Sequence, residues 1–100
     1  VTLVENGVAL FPDAPTIRGR KHLAELASAV KAGERAAVVF VVQRPDARFF
    51  APHLTADPAF AQALSQAAAA GVLVQAYTCR VSLSSIEIAR AIPISLARLG

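Results

Sequence analysis

Arg18, Arg20, Lys21 and His22 fall within a five-residue stretch, Arg18-Gly19-Arg20-Lys21-His22. Three cationic side chains and an imidazole this close together can bind an anion, and phosphate is the natural candidate because the arginine fork matches its geometry. Their position sharpens the point. The stretch opens what should be a helix, and a helix N-terminus already carries about half a positive unit, so each cation there is disfavoured by about 0.3–1 kcal/mol. A second group follows at Gln43-Arg44-Pro45-Asp46-Ala47-Arg48-Phe49-Phe50, where Arg44 and Arg48 come directly after a strand-like run. Sites in open α/β sheets gather beyond the carboxyl ends of strands. The ordinary alternative for both groups is a solvated surface with local ion pairs such as Asp46–Arg48.

Other chemistries find less support. His22 and His53 are far apart, Cys79 is the only cysteine, and no paired acidic cluster exists. Asp13, Asp46 and Asp57 each have structural uses in loops or caps, so no metal site is expected within the chain. Ser82, Ser84 and Ser85 lack a Gly-x-Ser-x-Gly frame and read as turn residues. No Gly-rich phosphate loop is present.

The elements that position these residues follow from pattern. Val1–Val4 and Val8–Phe11 read as strands joined by the turn Glu5-Asn6-Gly7, since Asn-Gly between apolar runs favours a hairpin. Phe11–Pro15 is expected to be a loop. Thr16 is the predicted cap of a helix reaching about Ala32, with Leu23, Leu26, Ala27 and Val30 on its core face and Gly33 ending it. Gly19 weakens that helix by about 1 kcal/mol relative to Ala but permits close approach by another backbone or a phosphate. Ala36–Val42 is continuously apolar, which predicts a strand covered on both faces. Gln43–Ala56 is predicted to be a long connection. Asp57 as cap and Pro58 at the first helical position start a second helix, which Gly71 ends. Val72–Val81 is a further strand, Ile86–Ala89 a short edge strand, and Ile92–Leu99 an irregular tail. The predicted order is β-β-α-β-α-β-β, an α/β sandwich with a mixed sheet flanked by two main helices.

Bulk composition bounds the rest. One hundred residues make one domain or less. Apolar residues form 55% of the chain and charged residues only 17%, against about 25% in typical domains, so part of that apolar content should be covered by something else. The net charge is +3, and eight of the ten basic residues are Arg. A lone Cys79 in an apolar strand reads as a buried thiol in a reducing compartment. No apolar run is long enough for a membrane span and no signal-peptide pattern opens the chain, so a cytoplasmic location is expected. A chain that opens on Val1-Thr2-Leu3-Val4 as if in mid-strand reads as the C-terminal piece of something longer.

The string Val1-Thr2-Leu3, Phe11-Pro12-Asp13-Ala14, Thr16, Arg18-Gly19 and Lys21-His22-Leu23 resembles the sugar fermentation stimulation protein (SfsA) family. The likeness continues through Arg35-Ala36, Phe40-Val41-Val42-Gln43-Arg44, Asp57-Pro58, Gly71-Val72 and Ala76-Tyr77. The resemblance implies an OB-fold joined to a restriction-endonuclease-like, PD-(D/E)XK domain in the whole protein, with this chain as the C-terminal portion of the latter. It implies double-stranded DNA as partner and a link to regulation of sugar utilisation. In the family pattern an Asp and a Glu-x-Lys supply metal ligands and a catalytic lysine. That Glu-x-Lys would fall immediately before Val1, so neither element can be assigned here.

Two functions of different class follow. One is a DNA-binding module contacting phosphates non-specifically through Arg18, Arg20, Lys21 and His22, with Arg44 and Arg48 as further candidates. The other is a metal-dependent nuclease in the full-length protein, with Mg²⁺ as its cofactor and this segment as scaffold and phosphate clamp. The chain alone is then expected to need no cofactor and to be inactive. A protein-binding scaffold is the weaker third reading. The remainder of its own full-length chain is an expected partner, a membrane is not, and an exposed edge strand predicts self-association of the fragment.

Overall fold

The computed structural model describes residues 1, 3–82 and 84–96, without the side chain of Val81. The predicted strand at Val1–Val4 includes Thr2, and the predicted tail includes 97–99; these positions lie outside the described residues. Eight elements are present: β1 (Val4–Glu5), β2 (Val8–Phe11), α1 (Ile17–Lys31), β3 (Ala37–Val42), β4 (Phe49–Pro52), α2 (Pro58–Ala70), β5 (Leu73–Val81) and β6 (Ile86–Ile92). The architecture is α/β with two helices, as expected, but the order gains a strand. Phe49–Pro52, read from sequence as part of a connection, is β4.

The strands form two three-stranded mixed sheets rather than one, in the orders β1-β2-β4 and β3-β5-β6. In the first, β1 and β2 are antiparallel and β2 and β4 parallel. In the second, β3 and β5 are parallel and β5 and β6 antiparallel. Backbone bonds join the sheets at two seams. At one, Val1 N donates to Val41 O and Gln43 N to Val1 O, while Leu10 N donates to Leu3 O. At the other, Phe50 N donates to Pro93 O and Ser95 N to Phe50 O.

Local chemistry explains the boundaries. Asn6 and Gly7 both adopt positive φ (53° and 80°), the backbone of the tight turn that the Asn-Gly pair predicts. α1 is capped by Thr16, whose hydroxyl accepts from Gly19 N. α2 is capped by Asp57 with Pro58 in its first turn, and Gly71 ends it at φ 111°. Ser82 and Ser85 bond each other across the β5–β6 turn, as expected for turn residues. β6 runs three residues beyond the predicted Ile86–Ala89.

The core sits between the helices and both sheets. Four phenylalanines meet there, one each from β2, β3, β4 and α2. Phe40 stacks on Phe50 at 4.2 Å, and Phe11 and Phe60 meet edge to face at 5.4 Å. Leu23 is buried, with Leu26, Ala27 and Val30 packed behind it, so the predicted core face of α1 holds. Cys79 is buried, as expected. The expectation that β3 is covered on both faces does not hold. Val38, Phe40 and Val42 face the core cluster, whereas Val39 and Val41 are 49% and 38% exposed. Among the described residues no helix is long and apolar enough to cross a membrane.

Candidate nucleic-acid interface

The first turns of α1 carry the basic cluster. Leu23 is buried and must point inward, so helical rotation distributes the residues before it around the axis. Arg18, Lys21 and His22 are exposed, and the first turn of α1 contains no acidic residue. None of the three has an ion-pair partner among the described residues. Arg20 differs. It turns toward the start of α2, where its Nε lies 3.8 Å from Asp57 Oδ2 and 3.4 Å from Thr16 O.

Asp57 organises this end of the molecule. Oδ1 accepts from Phe60 N at 3.0 Å, capping α2. Oδ2 accepts from Thr16 N at 2.8 Å, so the same carboxylate fastens the residue that caps α1. The Thr16 N–H bond is the strongest influence holding the Asp57 carboxyl below its ordinary range, and the Phe60 and Ala59 amides and the Arg20 guanidinium act in the same direction. Burial opposes them by disfavouring the charged form. One of the cations at this helix start therefore has an anion within the molecule itself: Arg20 faces Asp57.

Gly19 also acquires an internal reason. A Cβ there would lie 2.8 Å from Thr16 Cγ2 and 3.2 Å from the Phe60 ring. Sequence reasoning allowed a backbone or phosphate to approach Gly19; the close neighbours are the Thr16 and Phe60 side chains.

Arg44 and Arg48 sit on the loop between β3 and β4. The sequence suggested an Asp46–Arg48 pair, but Asp46 instead pairs with Arg44, at 2.7 Å and 3.0 Å through two guanidinium nitrogens. Asp46 stands two residues from each arginine and can pair with either, and Arg48 is held elsewhere. Its amide and that of Phe49 donate to Gly7 O, and its side chain lies over the hairpin, 3.0 Å from where a Gly7 Cβ would sit. Arg90, which sequence reasoning did not single out, ties the loop to β6 by donating to Ala47 O at 2.7 Å. Among the described residues, no hydrogen bond or ion pair joins this loop to the α1 cluster.

The histidines do not converge. His22 is exposed on α1, while His53 Nδ1 lies 3.2 Å from Pro12 O, fixing the loop after β2. Among the described residues no three His, Cys, Asp or Glu side chains are grouped to hold a metal ion, so a divalent-metal ligand set does not fit these residues.

Comparison with known proteins adds an independent line. The family model described as the sugar fermentation stimulation protein RE domain matches residues 1–85. A sugar fermentation stimulation protein homolog of Desulforamulus reducens is 54% identical over 96 residues, covering 96% of this chain and 40% of the relative. A homolog from Chloroflexus aurantiacus is 47% identical over 94 residues, covering 94% and 36%. The chain thus spans about 40% of the length of such relatives. A solved structure titled Pyrococcus furiosus SfsA in complex with Ca²⁺ superposes with a TM-score of 0.88 at 33% identity, covering 94% of this chain and 41% of that one.

Proposed function

Since the chain belongs to the sugar fermentation stimulation protein family, we propose that it contacts the phosphate backbone of double-stranded DNA and serves, within the full-length protein, the regulation of sugar utilisation. Arg18, Lys21 and His22 make the primary contacts, and Arg44 and Arg48, on the β3–β4 loop, are further candidates. The observation that carries this reading is the exposed start of α1, where Arg18, Lys21 and His22 have no ion-pair partner among the described residues. Arginine and lysine exposed in this way bind phosphate irrespective of base sequence.

Such binding is salt-dependent, with log affinity falling by about 0.9 per log unit of salt for each phosphate neutralised. Replacing Arg18 and Lys21 together by Ala should weaken binding to unrelated duplexes equally and reduce that slope by about 2. A double variant that binds like the parent removes the assignment.

A second reading has support of its own. The family model carries the description RE domain, and the Pyrococcus furiosus relative is titled as a Ca²⁺ complex. Under that reading the full-length protein is a metal-dependent nuclease and this segment its scaffold and phosphate clamp. The metal ligands would come from outside the described residues, so the chain by itself should not cleave DNA. Mg²⁺-dependent cleavage by the purified 100-residue chain, retained through repeated purification, would overturn that division of labour.

A further inference from the structure

We propose that Asp57 is a positioning residue for anion recognition by Arg20, its charge drawing the guanidinium's Nε side inward against the Thr16 carbonyl so that the two Nη groups face outward as a fork. The inference rests on the phosphate-binding reading above and goes beyond it by separating Arg20 from the other cations.

Three observations carry it. Asp57 is itself fixed: both carboxylate oxygens accept backbone N–H bonds, from Thr16 and Phe60, and its side chain is only 4% exposed. Arg20 Nε donates to the Thr16 carbonyl at 3.4 Å and lies 3.8 Å from the fixed carboxylate, an ionic contact rather than a hydrogen bond. Its side chain is 36% exposed, and neither Nη has a hydrogen-bond partner among the described residues. An arginine anchored at Nε has lost most of the rotamer freedom that binding would otherwise freeze out, so the remaining two-donor edge is preorganised for two phosphate oxygens. Arg18 and Lys21 have no such anchor. At the helix starts Gly19 N, Thr16 N and Phe60 N are already taken by Thr16 and Asp57 and are not open to an anion.

The sign of one substitution tests this. Removing a carboxylate beside bound DNA should tighten binding by charge alone. If Asp57 positions Arg20, Asp57→Asn should instead weaken it, by about threefold, while Asn still caps α2. The measurement is fluorescence anisotropy of a short labelled duplex across a KCl series, with circular dichroism confirming that each variant folds. Arg20→Ala should lower the salt slope by about 0.9, and in that background Asp57→Asn should no longer weaken binding. Arg20→Lys keeps the charge but cannot be held by an Nε while offering a fork, so it should bind nearly as weakly as Arg20→Ala. That surface variant carries the test if Asp57→Asn fails to fold. Tighter or unchanged binding by a folded Asp57→Asn, or parental binding by Arg20→Lys, overturns the proposal. If those variants bind like the parent while the Arg18 and Lys21 double variant is weakened, only this inference falls. If the parent shows no salt-dependent binding, or the double variant binds normally, the phosphate reading falls and this one with it.

Discussion

The carboxylate of Asp57 accepts a hydrogen bond from the amide of Thr16 across a separation of 41 residues. The residue that caps α2 thereby also fixes the residue that caps α1. The two helix starts are registered against each other by one side chain, which explains why α1 and α2 pack with their first turns together and Gly19 against Phe60.

That arrangement makes stability acid-sensitive in a defined direction. The folded-state carboxyl of Asp57 lies below its ordinary value, so its contribution is fully present above the unfolded aspartate value of about 3.9 and is lost as pH falls through the lower folded value. Melting curves between neutral pH and pH about 3 should show the parent losing more than Asp57→Asn over that interval. At neutral pH Asp57→Ala should melt lower, by the amount expected for loss of a helix cap in a domain this size, on the order of 4–8 °C. Parallel pH profiles for parent and Asp57→Asn would count against the role assigned to this carboxylate.

Gly19→Ala should destabilise, against the usual rule. In an open helix interior the change gains about 1 kcal/mol. Here the new methyl would meet Thr16 Cγ2 at 2.8 Å and the Phe60 ring at 3.2 Å, so either the α1 cap or the α1–α2 contact must shift. Thermal or urea denaturation reads the sign directly; a rise in midpoint shows that the helices separate at no cost.

Adjacent phenylalanines should behave oppositely. Phe50 is fully buried and stacks on Phe40, so Phe50→Ala should cost about 3–5 kcal/mol, a large part of the 5–15 kcal/mol typical of a whole domain. Phe49 is 47% exposed, and Phe49→Ala should stay within about 1 kcal/mol. Equilibrium unfolding of the two variants side by side measures the contrast, and equal losses would mean that the facing of β4 is misassigned.

Arg44→Ala should leave stability nearly unchanged, because its pair with Asp46 is exposed on both sides and such pairs contribute about 0–1 kcal/mol. A melting temperature several degrees lower would show that the pair braces the β3–β4 loop.

Residues whose role depends on near neighbours were legible in the sequence. Thr16 and Asp57-Pro58 announce helix starts, Asn6-Gly7 a hairpin, and the spacing of Leu23, Leu26 and Val30 the inward face of α1. The same spacing means that Arg18, Arg20 and Lys21 cannot all lie on one narrow face. What escaped depends on partners remote in sequence. Phe49-Phe50-Ala51-Pro52 is too short and too close to a proline to read as a strand, and becomes one because β2 lies on one side and Pro93–Ser95 on the other. Arg20 looked like its neighbours because nothing nearby distinguishes it; Asp57 does. The continuous run of β3 suggested two covered faces, yet apolarity records only that a face tolerates burial, and Val39 and Val41 remain open.

The second seam has a consequence for the order in which the molecule can assemble. β4 is bonded on one edge to a strand that precedes it and on the other to Pro93 and Ser95, which leave the ribosome long after it. During synthesis Phe50 can meet β2 and Phe40 early, but its outer backbone groups stay solvated until Pro93 and Ser95 arrive. Pairings between such distant positions are slow to form because loop closure must precede the bonds that reward it. Completion of β4 thus waits on residues some forty positions further along the chain, and the aromatic core must hold the strand in place until that neighbour docks.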